Sequence, residues 1–133
     1  MRAISPRRRG TVWRMLPEEG VNAVRVVVGL LVRGDYEELE TLTEGRRLSA
    51  AEMAGAVTAS GRDLISPPDD AFADLEVAGI EQVSGGERAF RVALPLWTAQ
   101  EGLSSLALRL TLTEVMDGVW TVEVDGIGEA AAG

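Results

Sequence analysis

A handful of side chains in this sequence have the chemistry to bind or transform a small molecule. Tyr36 offers a phenol donor beside the carboxylate of Asp35. Trp97, Thr98 and Glu101 place an indole, a hydroxyl and a carboxylate within one short segment next to Gly102, and Glu114 adds a further acid. A ring face with a hydroxyl and a carboxylate orients ligands at a pocket mouth. A phenol donor paired with a carboxylate base abstracts protons. These residue types make Tyr36, Glu101 and Glu114 the candidate catalytic residues, and Tyr36, Trp97, Thr98 and Glu101 the candidate ligand-binding residues. Each also has a structural reading. Asp35 suits a helix cap with Tyr36 packed beside it, Trp97 suits the edge of a core, and Glu101 and Glu114 suit a solvated rim.

The composition removes many other mechanisms. The chain has no Cys and no His, and all 13 basic residues are Arg. Thiolate nucleophiles, imidazole bases, lysine Schiff bases and His- or Cys-based metal sites are therefore excluded. Arginine without lysine fits coding in a GC-rich bacterial genome. Asp69, Asp70 and Asp74 cluster, but a calcium loop needs more ligands in a defined order. No metal and no cofactor are expected.

Charge is distributed unevenly. Arg2, Arg7, Arg8, Arg9 and Arg14 fall in a segment without a single acid, which leaves eight arginines against all 21 Asp and Glu in the rest. So acidic a body repels nucleic-acid phosphates, and no nucleic acid is expected as a partner. Residues 1–14 read as a basic arm, disordered or loosely docked, with Met15 a credible alternative start. Arg7-Arg8 is not followed by the apolar segment of an export signal. The apolar run Val21–Val32 is too short to span a bilayer and contains Arg25. A cytoplasmic protein without membrane association is expected.

The elements that must position the candidate residues follow from periodicity. Val21, Val24, Val27, Val28 and Leu31 recur at helical spacing, with Pro17, Glu18 and Glu19 at the start and Gly34 as the stop. Asp35 and Glu38 form an Asp-x-x-Glu capping pattern for a short helix carrying Tyr36, Leu39 and Leu42. Ser49 and Glu52 form a capping box, with Leu48 and Met53 as its staple, for a helix that ends at Gly61. Pro67-Pro68 and Asp69-Asp70 mark the boundary with a sheet half.

Beyond that boundary the pattern changes to strict alternation. Strands are expected at Leu75 to Val83, Arg88 to Trp97, Leu103 to Val115, and Val119 to about Asp125. Phe90, Val92, Leu94 and Leu96, then Leu106, Leu108, Leu110 and Leu112, then Trp120, Val122 and Val124 each share one apolar face. Ala107, Arg109, Thr111 and Thr113 lie on the other, so Thr111→Ala is expected to cost under about 0.5 kcal/mol. Burial parity sets the last hairpin. A three-residue turn, Met116-Asp117-Gly118, pairs Leu112 with Val122 and Leu110 with Val124, and puts Arg109 opposite Asp125. Around Gly79 the alternation fails, and the register of the first hairpin stays open. The expected architecture is α+β: N-terminal helices on one face of a four-stranded antiparallel meander, spanning residues 15–128, with 129–133 a frayed tail.

Two stretches carry a resemblance. Val27 to Thr43 (VVGLLVRGDYEELETLT) resembles the helix–Gly-Asp–helix opening of NTF2-like and cystatin-like domains, in which helices pack on a curved antiparallel sheet and often enclose a pocket. Pro95 to Thr113 (PLWTAQEGLSSLALRLTLT) resembles a PLWT-x-EEG-R-S-D-L motif of small uncharacterised bacterial proteins. The chain departs from that motif at Gln100, Leu103 and Ser105, where Glu, Arg and Asp are usual. The NTF2-like resemblance implies one alternative, a small isomerase, hydratase or lyase with a carboxylate base inside the cone. The inward strand positions here are Leu, Val, Phe and Trp, which favours a non-catalytic module. It would bind a small apolar ligand or a partner protein, in the manner of an immunity or regulatory protein. Dimerisation through the outer sheet face is usual among NTF2-like domains, but the Thr and Arg residues there are adequately solvated alone, which favours a monomer.

Overall fold

The computed structural model describes residues 16–73, 75–82, 88–116 and 119–129. Residues 1–15, which include the basic segment, Asp74, residues 83–87, where a turn is expected from the sequence, Asp117-Gly118 and residues 130–133 lie outside them.

Helix α1 spans Glu18–Arg33, with Glu18 and Glu19 at its positive end and Arg33 in its last turn, as the helix dipole favours. Its Val24, Val27, Val28 and Leu31 are at most 2% exposed. Pro17 stands at the N-cap position. Gly34 ends the helix in the left-handed region at φ 76°. Its N–H reaches Leu31 O at 3.0 Å and that of Asp35 reaches Leu30 O at 2.9 Å, closing the helix by a Schellman-type pair.

Helix α2, Tyr36–Thr43, starts without the expected cap: no side-chain hydrogen bond is made by Asp35 to its first turn. The Asp35 carboxylate instead accepts from Arg33 Nε at 3.0 Å. The Gly34 turn leaves Asp35 at φ −86°, ψ 64°, away from the extended conformation a capping residue needs. Helix α3, Ala50–Ser60, has the expected box. Ser49 Oγ accepts from Glu52 N at 3.1 Å and Ser49 N donates to Glu52 Oε1 at 2.8 Å. Leu48 and Met53 both join the core.

Two short elements occupy the stretch read from sequence as a boundary. Strand β1, Leu64–Ile65, pairs antiparallel with Thr98 and Trp97, and α4 is a single turn, Asp70–Ala73. Phe72 of α4 is 7% exposed, with the Arg25 guanidinium 4.5 Å over its ring. Neither element is long enough to leave a period in the sequence.

Strands β2 (Glu76–Gln82), β3 (Arg88–Thr98), β4 (Gly102–Met116) and β5 (Val119–Glu129) form the antiparallel meander. β1 and β2 both flank β3, followed by β4 and β5. One sheet face packs on the helices. Phe90, Val92, Leu94, Leu96, Leu106, Leu108, Leu110, Leu112 and Val124 on that face are all at most 2% exposed.

The last hairpin pairs Leu112 with Val122 and Leu110 with Val124, as burial parity required. The extra residue lies on β4, because Met116 pairs with Val119 after a shift beyond Glu114. A second irregularity corrects the expected Arg109–Asp125 pair. Past Leu110 the register slips by one, so that Arg109 faces Gly126 and Asp125 has no cross-strand partner of its own. A bulge of this kind re-aims a side chain, and Asp125 Oδ2 accepts from Thr111 Oγ1 at 2.5 Å. The first hairpin is now fixed. Val77 pairs with Val92 and Gly79 with Arg91, with the irregularity between them, which explains why alternation fails there.

Candidate functional site

The tip of the β3–β4 hairpin carries two of the candidate residues, Thr98 and Glu101, in a polar network. Thr98 is wholly buried, and its Oγ1 accepts from Glu101 N at 3.1 Å. Glu101 Oε1 lies 3.0 Å from Arg62 Nε, and Arg62 Nη1 donates to Glu129 Oε2 at 2.7 Å. Ser105 Oγ donates to the other Glu129 oxygen at 2.6 Å. Asp63 and Gln100 exchange two hydrogen bonds of 3.0 Å each. Hydrogen bonds from Ser105 and then Arg62 hold the Glu129 carboxyl below the usual carboxylate range, while Glu129 raises the Arg62 guanidinium. Each acid here is engaged by chain neighbours, so the network ties the α3–β1 connection to the sheet end. Glu129, read from sequence as part of a frayed tail, is the last residue of β5 and the hub of that tie.

Trp97 points away from this network. It pairs with Ile65 and Leu103 in one cross-strand row, on the sheet face opposite the helices. Its indole Nε1 is buried without a hydrogen-bond partner, so that donor is not offered to a ligand. Leu103 and Ile65 beside it are 57% and 39% exposed.

Glu114 lies at the far end of β4 from Glu101. Twelve residues separate it from Gly102, on the order of 40 Å at a strand rise of about 3.3 Å. Its carboxylate accepts from the Arg88 guanidinium, and it pairs across the sheet with Trp120. Trp120 stacks tilted against Phe90 at 5.7 Å. The acid thus stands at the rim of the apolar face, matched by a cation.

Tyr36 occupies a third place, between the helices. An open groove of about 660 Å³ runs between α2 and α3, lined by Gly34, Asp35, Tyr36, Glu37, Glu38, Ala50, Ala51 and Ala54. It continues along Glu40, Thr41, Glu44 and Ser49. Three of its acids are already engaged: Asp35 by Arg33, Glu40 by the Ala50 N–H at 2.8 Å, and Glu44 by Arg46 at 2.7 Å. Glu37 and Glu38 are exposed, and their carboxylates have no ion-pair or hydrogen-bond partner among the described residues. No basic side chain lines the groove among the described residues.

The structure brings Thr98 and Glu101 together, leaves Trp97 on the outer sheet face, and sets Tyr36 and Glu114 in separate regions. Sequence reasoning missed Arg62, Asp63, Gln100, Ser105 and Glu129, whose partners are far away in the chain. It also missed the groove, although Ala50, Ala51 and Ala54 are too short to fill the space beside an acidic helix. Among the described residues no group of three Asp or Glu side chains is placed to hold a metal ion, and no described helix is long and apolar enough to cross a membrane.

A family model, the domain of unknown function DUF7668, matches residues 28–130. The chain belongs to the DUF7668 family. The match covers α2, α3, all three candidate regions and the whole sheet, and it begins inside α1 at Val28. Neither the curated proteins nor the solved structures gave a match.

Proposed function

We propose that this DUF7668 chain is a non-catalytic binding module, and that its α2–α3 groove receives a basic segment of a partner protein. The observation that carries this reading is the groove itself. It is open, lined by Ala50, Ala51 and Ala54 and by acids, and keeps two carboxylates, Glu37 and Glu38, without a counter-charge among the described residues. Carboxylates on a surface groove of a chain with net charge −8 attract arginine- or lysine-bearing segments and speed their encounter.

Two further observations support it over the alternatives. The residues that an isomerase, hydratase or lyase would use, Tyr36, Glu101 and Glu114, stand in three separate regions and share no ligand-sized space. General acid–base work needs such groups within hydrogen-bond reach of one substrate. A small apolar ligand would need room above the sheet, yet the inward positions of β3 and β4 are side chains buried against one another and the helices. An immunity or regulatory protein in the cytoplasm works by such partner contact, and this chain needs no cofactor to do so.

Calorimetry tests the reading. A ten-residue arginine-rich peptide should bind with a Kd in the micromolar to millimolar range, weakening with salt. A glutamate-rich peptide of equal length should not bind, and Glu37→Gln with Glu38→Gln should abolish most of the arginine-peptide heat. Equal binding of the peptides, or of the variant, would contradict it.

A further inference from the structure

Strand β5 ends the sheet: it pairs with β4 on one side and with no described strand on the other. Such an edge turns a row of unpaired N–H and C=O groups outward, a template for another strand. Lysine and proline are the common guards of an edge. This chain has no lysine, and Val119–Glu129 contains no proline. We propose that Arg46 and Arg47 form a strap across the β5 edge, which keeps it from pairing with the same edge of a second copy. The inference is independent of the α2–α3 groove reading.

The path of the two arginines is the first ground. Val122 and Val124 are 5% and 1% exposed and belong to the core that the helices cover. Glu123 between them therefore faces the outer side of the sheet. Arg46 and Arg47 start on the helix side, in the connection between α2 and α3, and Leu48 beside them packs on the core. Yet Arg47 Nε donates to Glu123 Oε1 at 3.1 Å and lies 3.6 Å from Asp125 Oδ1. Arg46 Nη1 lies 3.8 Å from Glu123 Oε2. Because β5 is the last strand, the way from the helix layer to these acids leads round its free edge.

The backbone of that connection is the second ground. Glu44 and Gly45 are both left-handed, at φ 60° and 61°, and Glu44 is the one described residue other than glycine there. Such a conformation costs energy and persists only where its surroundings enforce it. Here it turns the chain out of α2, with Arg46 N donating to Thr43 O at 3.3 Å. The turn and the docked Leu48 together hold both arginines beside β5.

The strap is built to be weak. The Arg47 and Glu123 side chains are 57% and 23% exposed, and salt screens exposed pairs. It can open while the domain stays folded. Every copy then presents the same bare strand, and pairing two of them is an isologous contact that satisfies both edges.

The test compares the full chain with its Arg46→Gln, Arg47→Gln, Glu123→Gln variant. That variant removes the strap without leaving Glu123 charged against the same residue of a second copy. Sedimentation velocity over a range of concentrations reads association, and hydrogen exchange reads the β5 amides. The variant should associate at concentrations about tenfold or more below those the wild type needs. Its β5 amides should exchange about tenfold faster than the wild type's when dilute, and slow again as it associates. An Arg46→Lys, Arg47→Lys variant, which keeps the charge, should stay close to the wild type. High salt should speed β5 exchange in the wild type, a reading of the strap that holds even if the variant fails to fold. A variant that sediments as the wild type does at every concentration would overturn the proposal. So would β5 exchange indifferent to salt, association that leaves the β5 amides unprotected, or a wild type already dimeric and protected at β5.

Discussion

Arg109 lies across from Gly126 so closely that a Cβ at position 126 would come within 2.9 Å of Arg109 Nη2. The neighbour is the end of a flexible side chain, which can swing away, so Gly126→Ala should destabilise the domain by under about 1 kcal/mol. In an Arg109→Ala background the same change should be neutral. Urea melts of the two single variants and the double variant measure this coupling, and a loss of several kcal/mol in Gly126→Ala alone would show that the backbone itself is crowded.

Thr111 is no longer a neutral surface position. Its hydroxyl donates to Asp125, whose other oxygen is buried, without a hydrogen-bond partner, 3.6 Å from Arg47 Nε. Thr111→Ala should cost about 1–3 kcal/mol because the half-buried Asp125 carboxylate loses its one hydrogen-bond donor among the described residues. Leu110→Ala should cost about 2–5 kcal/mol by leaving a cavity. Thr113→Ala, on the same outer face, should stay within about 0.5 kcal/mol. Denaturation midpoints should fall most in Leu110→Ala, less in Thr111→Ala and least in Thr113→Ala.

The helix caps make a paired prediction. Ser49→Ala removes the hydroxyl that accepts from Glu52 N–H, leaving only the half of the box donated by the backbone N–H of residue 49, and should cost about 0.5–2 kcal/mol. Asp35→Ala removes no cap and only an exposed pair with Arg33, so its effect on stability should be within about 0.5 kcal/mol. Thermal melts would contradict this reading if the two variants lost equal stability.

Acid should loosen the tie between β5 and the α3–β1 connection. The Glu129 carboxyl is held below its ordinary value of 4.5 by Ser105 and Arg62. A carboxyl lowered in the folded state stabilises it fully above the unfolded value and loses that contribution as pH falls through the folded one. The melting temperature of the wild type should therefore exceed that of Glu129→Gln by a constant margin above about pH 5.5, and the margin should shrink below pH 4.5. A margin that ignores pH would contradict the account.

Much of the fold was legible because burial imposes period. Leu106, Leu108, Leu110 and Leu112 could share a covered face only in one register, and parity carried that register into β5. The Ser49–Glu52 box was legible because both of its halves lie within one helical turn. The Asp35 pattern was equally local and failed, since a glycine turn one residue earlier set the backbone that the cap needed. The slip at Asp125 leaves no trace in alternation until β5 has already crossed Leu110. Of the candidate site, Thr98 and Glu101 were close in sequence and meet in the fold. Arg62, Ser105 and Glu129 meet only through pairings between distant segments. The groove is a matter of what short side chains leave empty, and polarity patterns do not register space.

The central claim is that the α2–α3 groove, and not the hairpin tip or the outer sheet face, is where this module takes a basic partner. Nuclear magnetic resonance mapping tests it most directly: the full chain is titrated with an arginine-rich peptide while all backbone amides are followed. The account predicts the largest shifts at Tyr36, Glu37, Glu38, Ala50, Ala51 and Ala54, with little movement at Trp97, Glu101 or Glu114. Shifts concentrated on Ile65, Trp97 and Leu103, with the groove silent, would contradict it.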